Sequence, residues 1–177
     1  MINLHLGCGQ NVIPGFINCD LYAKNDFISQ IDAKRLPFID SSIDKIYACH
    51  ILEHFYRYEV CDVLMEWNRV LKKGGELYVA VPDFESVVNH YVKHHDIKIL
   101  QGLLNGGQNC DWNKHLVSFD FKYLEECLKE TKFGSVQLYD WKECEFAKYD
   151  DFSQAYLPHM NKEKGMKMSL NVYAKKD

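Results

Sequence analysis

Gly7 and Gly9 follow directly on the apolar run Ile2 to Leu6, and Asp20 closes a second apolar run that begins at Phe16. Glycine at such a turn lets the backbone bend sharply and approach a ligand with no Cβ in the way. If the two runs are neighbouring parallel strands, their carboxyl ends share one edge of a sheet, and ligands bind in the crevice there. The glycine turn then lines the body of one ligand, and Asp20 accepts hydrogen bonds from a ribose diol. The third glycine of the dinucleotide fingerprint is missing, and Asp20 comes too soon after the turn, so NAD is disfavoured.

His50-Ile51-Leu52-Glu53-His54 is the second group able to do chemistry. Taken alone it matches H-x-x-E-H, the zinc motif of inverted zincins. That chemistry needs a helix bearing both histidines and a distant third ligand. A strand pattern immediately before and Gly74-Gly75 after favour a different context, so no metal ligands are expected. Two further groups stand at predicted strand ends or loops. Asp83 follows Pro82 at the close of a strand, where it either caps the next helix or orients a hydroxyl. His115 ends a polar, aromatic loop, Asn109-Cys110-Asp111-Trp112-Asn113-Lys114-His115, of the kind that covers a binding site.

The blocks stand in an order that resembles class I S-adenosyl-L-methionine (SAM)-dependent methyltransferases. They are Leu4-His5-Leu6-Gly7-Cys8-Gly9, Pro14-Gly15-Phe16-Ile17-Asn18-Cys19-Asp20-Leu21, Asp32-Ala33-Lys34-Arg35-Leu36-Pro37-Phe38, His50 to His54, Arg69 to Gly75, and Val81-Pro82-Asp83. The likeness is strong over the first half of the chain and weak over the rest. It is greatest to the small methyltransferase-like proteins of bacterial surface-polysaccharide synthesis. The resemblance implies SAM as cofactor, held by Gly7, Cys8, Gly9, Asp20, Leu21, Asp32, Ala33 and His50. It implies methyl transfer to an oxygen of a saccharide or small-metabolite acceptor. A hydroxyl acceptor needs a base, for which His115, Asp83 and His54 are the candidates in that order. Two alternatives stand beside this reading. One is a non-catalytic SAM-binding or partner subunit. The other is a different SAM-using enzyme, by aminopropyl transfer or SAM cleavage.

The elements that must position these residues follow from periodicity. Strands are predicted over 2–6, 16–20, 27–31, 43–49, 76–81, 136–141 and 167–174. Glu59 to Leu71 repeats its apolar residues at helical spacing, with Lys72-Lys73 and Gly74 suited to its carboxyl end. Further helices are predicted from Phe84 to His94 and from Asp120 to Thr131. The expected fold is a single α/β domain over 1–177. It is a Rossmann-like class I methyltransferase sheet of about seven strands, mostly parallel with an antiparallel last strand, and helices on both faces. The connection from Gly7 to Gly15 is short for a parallel crossover and contains Pro14, so at most one helical turn is expected there.

Composition narrows the classes. Net charge is −4 with no basic run, so no nucleic-acid partner is expected. The seven cysteines contain no C-x-x-C, which suits reduced thiols in a cytoplasmic protein. No leader pattern precedes the first strand, and no apolar stretch is long enough to span a bilayer. A homodimer or a partner subunit that completes an open cofactor site is a further expectation. Lys142 to Lys164, irregular and rich in aromatics, reads as a substrate flap or an oligomer contact.

Overall fold

Side chains alternate along a strand, and here the alternation separates two unlike faces. Leu4, Leu6, Cys19, Ile46, Ala48, Leu77, Val79, Val81, Leu170, Val172 and Ala174 point to one side and form the main apolar core. Tyr47, Cys49, Tyr78 and Ala80, intercalated between them in sequence, belong to a smaller cluster on the other side. The computed structural model describes residues 1–22 and 25–177.

In chain order the elements are β1 (Asn3–Leu6), β2 (Ile17–Asp20), β3 (Ser29–Gln30), β4 (Ile43–Cys49), α1 (Val60–Val70), β5 (Leu71–Pro82), α2 (Phe84–His94), α3 (Gln101–Asn105), α4 (Phe121–Glu130), β6 (Phe133–Leu138), β7 (Tyr156–Leu157), β8 (Met166–Lys167) and β9 (Ser169–Lys176). Seven strands form one sheet in the order β3-β2-β1-β4-β5-β9-β6. The strands from β3 to β5 run parallel. β9 lies antiparallel between β5 and β6, as the sequence predicts for the last strand. β7 and β8 make a separate short ribbon.

The main core lies under α1 and α4. Val60, Val63, Leu64, Trp67 and Val70 face it from α1, and Leu124, Cys127 and Leu128 from α4. Trp67 is fully buried, and its indole N–H donates to the Ala33 carbonyl at 2.9 Å. This ties α1 to the segment after β3. On the opposite face, Phe146, Cys144 and Tyr149 from the predicted irregular segment pack on Tyr47, Tyr78, Ile13 and Phe16. Phe146 stacks on Tyr47 with centroids 3.9 Å apart.

The β1–β2 connection contains turns and no helix. Its anchor is Asn18, a buried polar residue of β2. The Asn18 Oδ1 accepts the Ile13 N–H at 2.8 Å, and its amide donates to the Ile13 and Phe16 carbonyls at 3.2 and 3.1 Å. One side chain thus satisfies loop groups that a helix would have paired internally.

Two local expectations are corrected. The predicted strand over 27–31 shrinks to Ser29–Gln30, because Asn25 Oδ1 accepts the Phe27 N–H at 3.0 Å and sets a turn there. Gly74 does not cap α1. The helix ends at Val70, and Leu71, buried, already pairs with Ile43 as strand. Lys72 to Gly75 therefore form a bulge before Glu76 meets Lys45, and Lys72 pairs with Asp44 at 2.8 Å.

Candidate active site

At the carboxyl end of β1, Gly7 and Gly9 both take positive φ, +63° and +56°. A Cβ on Gly7 would come within 2.6 Å of Ile51, so this glycine brings the β1 turn against the segment after β4. A Cβ on Gly9 would meet nothing within 4 Å, so the space above that backbone is open to a ligand. Cys8, between them, turns its buried side chain inward, and its N–H donates to the Cys19 carbonyl at 3.1 Å. Burial, with Asp20 nearby, pushes the Cys8 thiol up to about 12, so it stays neutral and contributes through its backbone.

Asp20 ends β2 beside this turn. One carboxylate oxygen accepts the Gly9 N–H at 2.9 Å, and the other accepts the Tyr22 N–H at 2.8 Å. Each oxygen keeps a lone pair, so the carboxylate both holds the glycine turn and can take a ribose hydroxyl. Leu21 is exposed next to it. Asp32 lies at the turn after β3 and accepts the Lys34 N–H at 2.9 Å. Ala33 is buried, with its carbonyl committed to Trp67. These residues line the same edge of the sheet in the order that adenosine recognition by the resemblance requires. The glycine cradle and the free carboxylate positions fit SAM.

His50 continues the edge at the end of β4. Its backbone is left-handed, φ +51°, an uncommon conformation for a residue with a Cβ. The conformation is held by its N–H to the Ala80 carbonyl at 2.8 Å and by its ring, where Nε2 lies 3.2 Å from Ser169 Oγ. On the far side of His50 is a cavity of about 370 Å³. His50, His54 and His115 line one wall, and Phe152, Tyr156 and Met160 another.

Glu53 lies fully buried behind the histidines. Its Oε1 is 3.2 Å from His50 Nδ1 and 3.9 Å from His115 Nε2, yet neither carboxylate oxygen has an aligned hydrogen bond. Burial alone would raise its pKa; the adjacent His50, then His54 and His115, outweigh this and hold the carboxyl below its ordinary value. The pKa of His115 is lowered, because burial disfavours the imidazolium more than Glu53 favours it.

The two loops meet through backbone pairing. The Glu53 carbonyl accepts the Leu116 N–H at 2.8 Å, and His115 N–H donates to the Asn105 carbonyl at 3.2 Å. Gly106, with φ +74°, permits this approach: a Cβ there would sit 2.7 Å from the Asn113 carbonyl. From the same loop Trp112 stacks on Tyr22, centroids 4.0 Å apart. The loop predicted as a cover thus runs from the Asp20 corner to the cavity.

Among the predicted catalytic residues, His54 and His115 come together, with ring centroids 4.9 Å apart. Asp83 does not join them. It caps α2, accepting from the Glu85 N–H at 3.1 Å and the Ser86 hydroxyl at 2.7 Å. From the sequence Glu53 has only a bracing role. Phe152 and Tyr156 stand out there as aromatics of the 142–164 segment, read as a substrate flap or an oligomer contact, and Met160 carries no signal of its own.

Residues 8–79 match the family described as methyltransferase domain. A SAM-dependent methyltransferase from Methanosarcina mazei is similar in structure at 18% identity, TM-score 0.61, over 98% of this chain and 91% of that one. One from Archaeoglobus fulgidus is similar at 18% identity, TM-score 0.59, over 98% and 85%. The Burkholderia thailandensis 1,6-didemethyltoxoflavin-N1-methyltransferase, solved with S-adenosylhomocysteine, is similar at 12% identity, TM-score 0.62, over 99% and 70%. No curated protein sequence matches. The fold is that of the class I methyltransferases, and residues 8–79 match the methyltransferase-domain model. On that fold this chain has a first crossover without a helix, clamped by Asn18.

Proposed function

We propose that the protein transfers the SAM methyl group to an oxygen of a saccharide or small-metabolite acceptor seated in the cavity beside His50. The observation that carries this reading is the cavity's place. It is lined by His50 at the carboxyl end of β4, the strand that pairs with β1 and its glycine turn, and it combines imidazoles with aromatic walls. Gly7, Gly9, Asp20, Leu21, Asp32 and Ala33 hold the cofactor, with Cys8 contributing backbone only. Bound there, SAM supplies a methyl group already activated on a sulfonium. The chain's own task is to bring an acceptor oxygen into line and keep water out. His54 and His115 are the residues that act on the acceptor hydroxyl. Phe152 and Tyr156 offer flat apolar faces to a sugar ring or a planar metabolite.

The test is incubation with methyl-labelled SAM and a panel of nucleotide sugars and hydroxylated metabolites. Label recovered in an acceptor, and lost in His115→Ala, supports the reading. Methylthioadenosine as the sole product would replace it with cleavage or aminopropyl chemistry.

A second reading is that a partner subunit completes the site. It is favoured by the exposed apolar side chains Val12, Leu21, Tyr22 and Phe27 around the β1–β2–β3 end. A structurally similar Haloferax volcanii protein comes from a complex of a methyltransferase with its activator, 16% identical with TM-score 0.56. Size-exclusion chromatography with light scattering, alone and after capture from the native cell, reads this directly.

A further inference from the structure

Glu53, His54 and His115 offer one ligand atom each, all within 4.8 Å of one another. Their hydrogen bonds show which atoms are free. His54 Nδ1 lies 3.0 Å from the Lys114 carbonyl, and His115 Nδ1 lies 2.8 Å from the Leu103 carbonyl. A carbonyl only accepts, so each Nδ1 carries the proton and each Nε2 keeps its lone pair. Metal-binding histidines are commonly fixed in this way, with one ring N–H donated to a carbonyl behind. Beside the two rings Glu53, its Oε1 3.9 Å from His115 Nε2, presents a carboxylate whose side chain is 1% exposed and whose oxygens both lack an aligned hydrogen bond. His50 Nδ1, 3.2 Å away but not in line for a hydrogen bond, is its nearest partner, so a cation held between this carboxylate and the imidazoles would satisfy oxygens that the protein leaves unbonded.

We propose that Glu53, His54 and His115 form a divalent-cation site on the wall of the cavity. Two imidazoles and one carboxylate select a first-row ion of the zinc, cobalt or iron(II) kind over magnesium or calcium. Ligands at about 2.1 Å in tetrahedral array stand roughly 3.4 Å apart, so the three side chains need close by at most about 1.4 Å. The remaining positions face the cavity, where an acceptor takes them through one oxygen or two adjacent ones. This deepens the methyl-transfer reading of the cavity and rests on it for the acceptor alone. His50, whose Nδ1 also faces Glu53, then orients the carboxylate as a neighbour and is not a ligand.

The test uses the full chain, first without SAM. Co²⁺ is titrated as a visible-absorption probe, with Zn²⁺ competition followed by calorimetry. The expected result is one equivalent bound with ligand-field bands, displaced by Zn²⁺. His115→Ala and His54→Ala each weaken binding by more than about tenfold, while His50→Gln leaves the stoichiometry unchanged. Circular dichroism of each variant confirms that it is folded. Absence of ligand-field bands in the folded wild type overturns the site, as does unchanged affinity in both histidine variants. Either outcome leaves methyl transfer itself to be judged by labelled product, so the two failures are distinguishable.

Discussion

His5 is a buried base in a polar clamp. Its Nδ1 lies 3.1 Å from Asn18 Oδ1, and its ring leans on Tyr47. Burial lowers its pKa from the ordinary value of 6.5, and the bond to Asn18 with the charges of Asp151 and Asp20 only partly offsets this. The unfolded chain therefore binds a proton at a pH where the folded one does not. Stability is full above about 6.5 and is lost as pH falls from there towards the lowered folded value. Denaturant melts across this range should show that limb, and His5→Gln, which keeps a donor but does not titrate, should flatten it. Single residues were read from sequence with uneven success. Gly7, Gly9 and Asp20 were legible because their chemistry is local to one turn. Glu53 was not, since the His115 that faces it comes from a distant loop. The H-x-x-E-H spacing, set aside as a zinc motif because of the strand before it and Gly74-Gly75 after it, gives no hint of that distant partner.

Between β1 and β2 the chain replaces a helix with one asparagine. Asn18→Ala would leave the buried Ile13 N–H without a partner and remove one of the two donors to the Ile13 carbonyl, which keeps the Phe16 N–H, at a cost of about 1–3 kcal/mol. The prediction is a drop of that size in equilibrium unfolding, with reduced SAM affinity because the same loop carries Gly9. Asn18→Asp should be less harmful at Ile13 N–H and worse at the two carbonyls. The absence of a crossover helix was legible from the short Gly7–Gly15 interval and Pro14. The clamp was not, because a polar residue within a short strand gives no periodic signal. α1, α2 and α4 were legible because their apolar faces repeat at helical spacing. The end of α1 was missed: Lys72-Lys73-Gly74-Gly75 carries the composition of a helix terminus, but burial of Leu71 against Ile43 draws the chain into the sheet earlier.

Across the whole molecule, β4 and β5 separate two jobs. One face builds stability under α1 and α4, and the other packs aromatics from the segment around Phe146, whose continuation lines the cavity. The mostly parallel sheet of about seven strands and its antiparallel last strand were legible through the family resemblance; the strand order was not predicted. The packing of 142–164 was not, for it depends on contacts between residues far apart in sequence. The Trp112–Tyr22 stack joins the cavity loop to the Asp20 corner, so cofactor binding should perturb it. Tryptophan fluorescence is expected to change on adding SAM, and Trp112→Phe should remove most of that change.

Calorimetric titration tests most directly the proposed role of the Gly7–Asp20 corner as the SAM site. The wild type and Asp20→Ala are titrated with SAM, S-adenosylhomocysteine and NAD⁺. The account predicts binding of the first two and not the third. It predicts that Asp20→Ala weakens both by about ten- to a hundredfold, the loss of charge-assisted hydrogen bonds at the turn and the ligand. Absence of heat with SAM and S-adenosylhomocysteine, or equal affinity in Asp20→Ala, would contradict it.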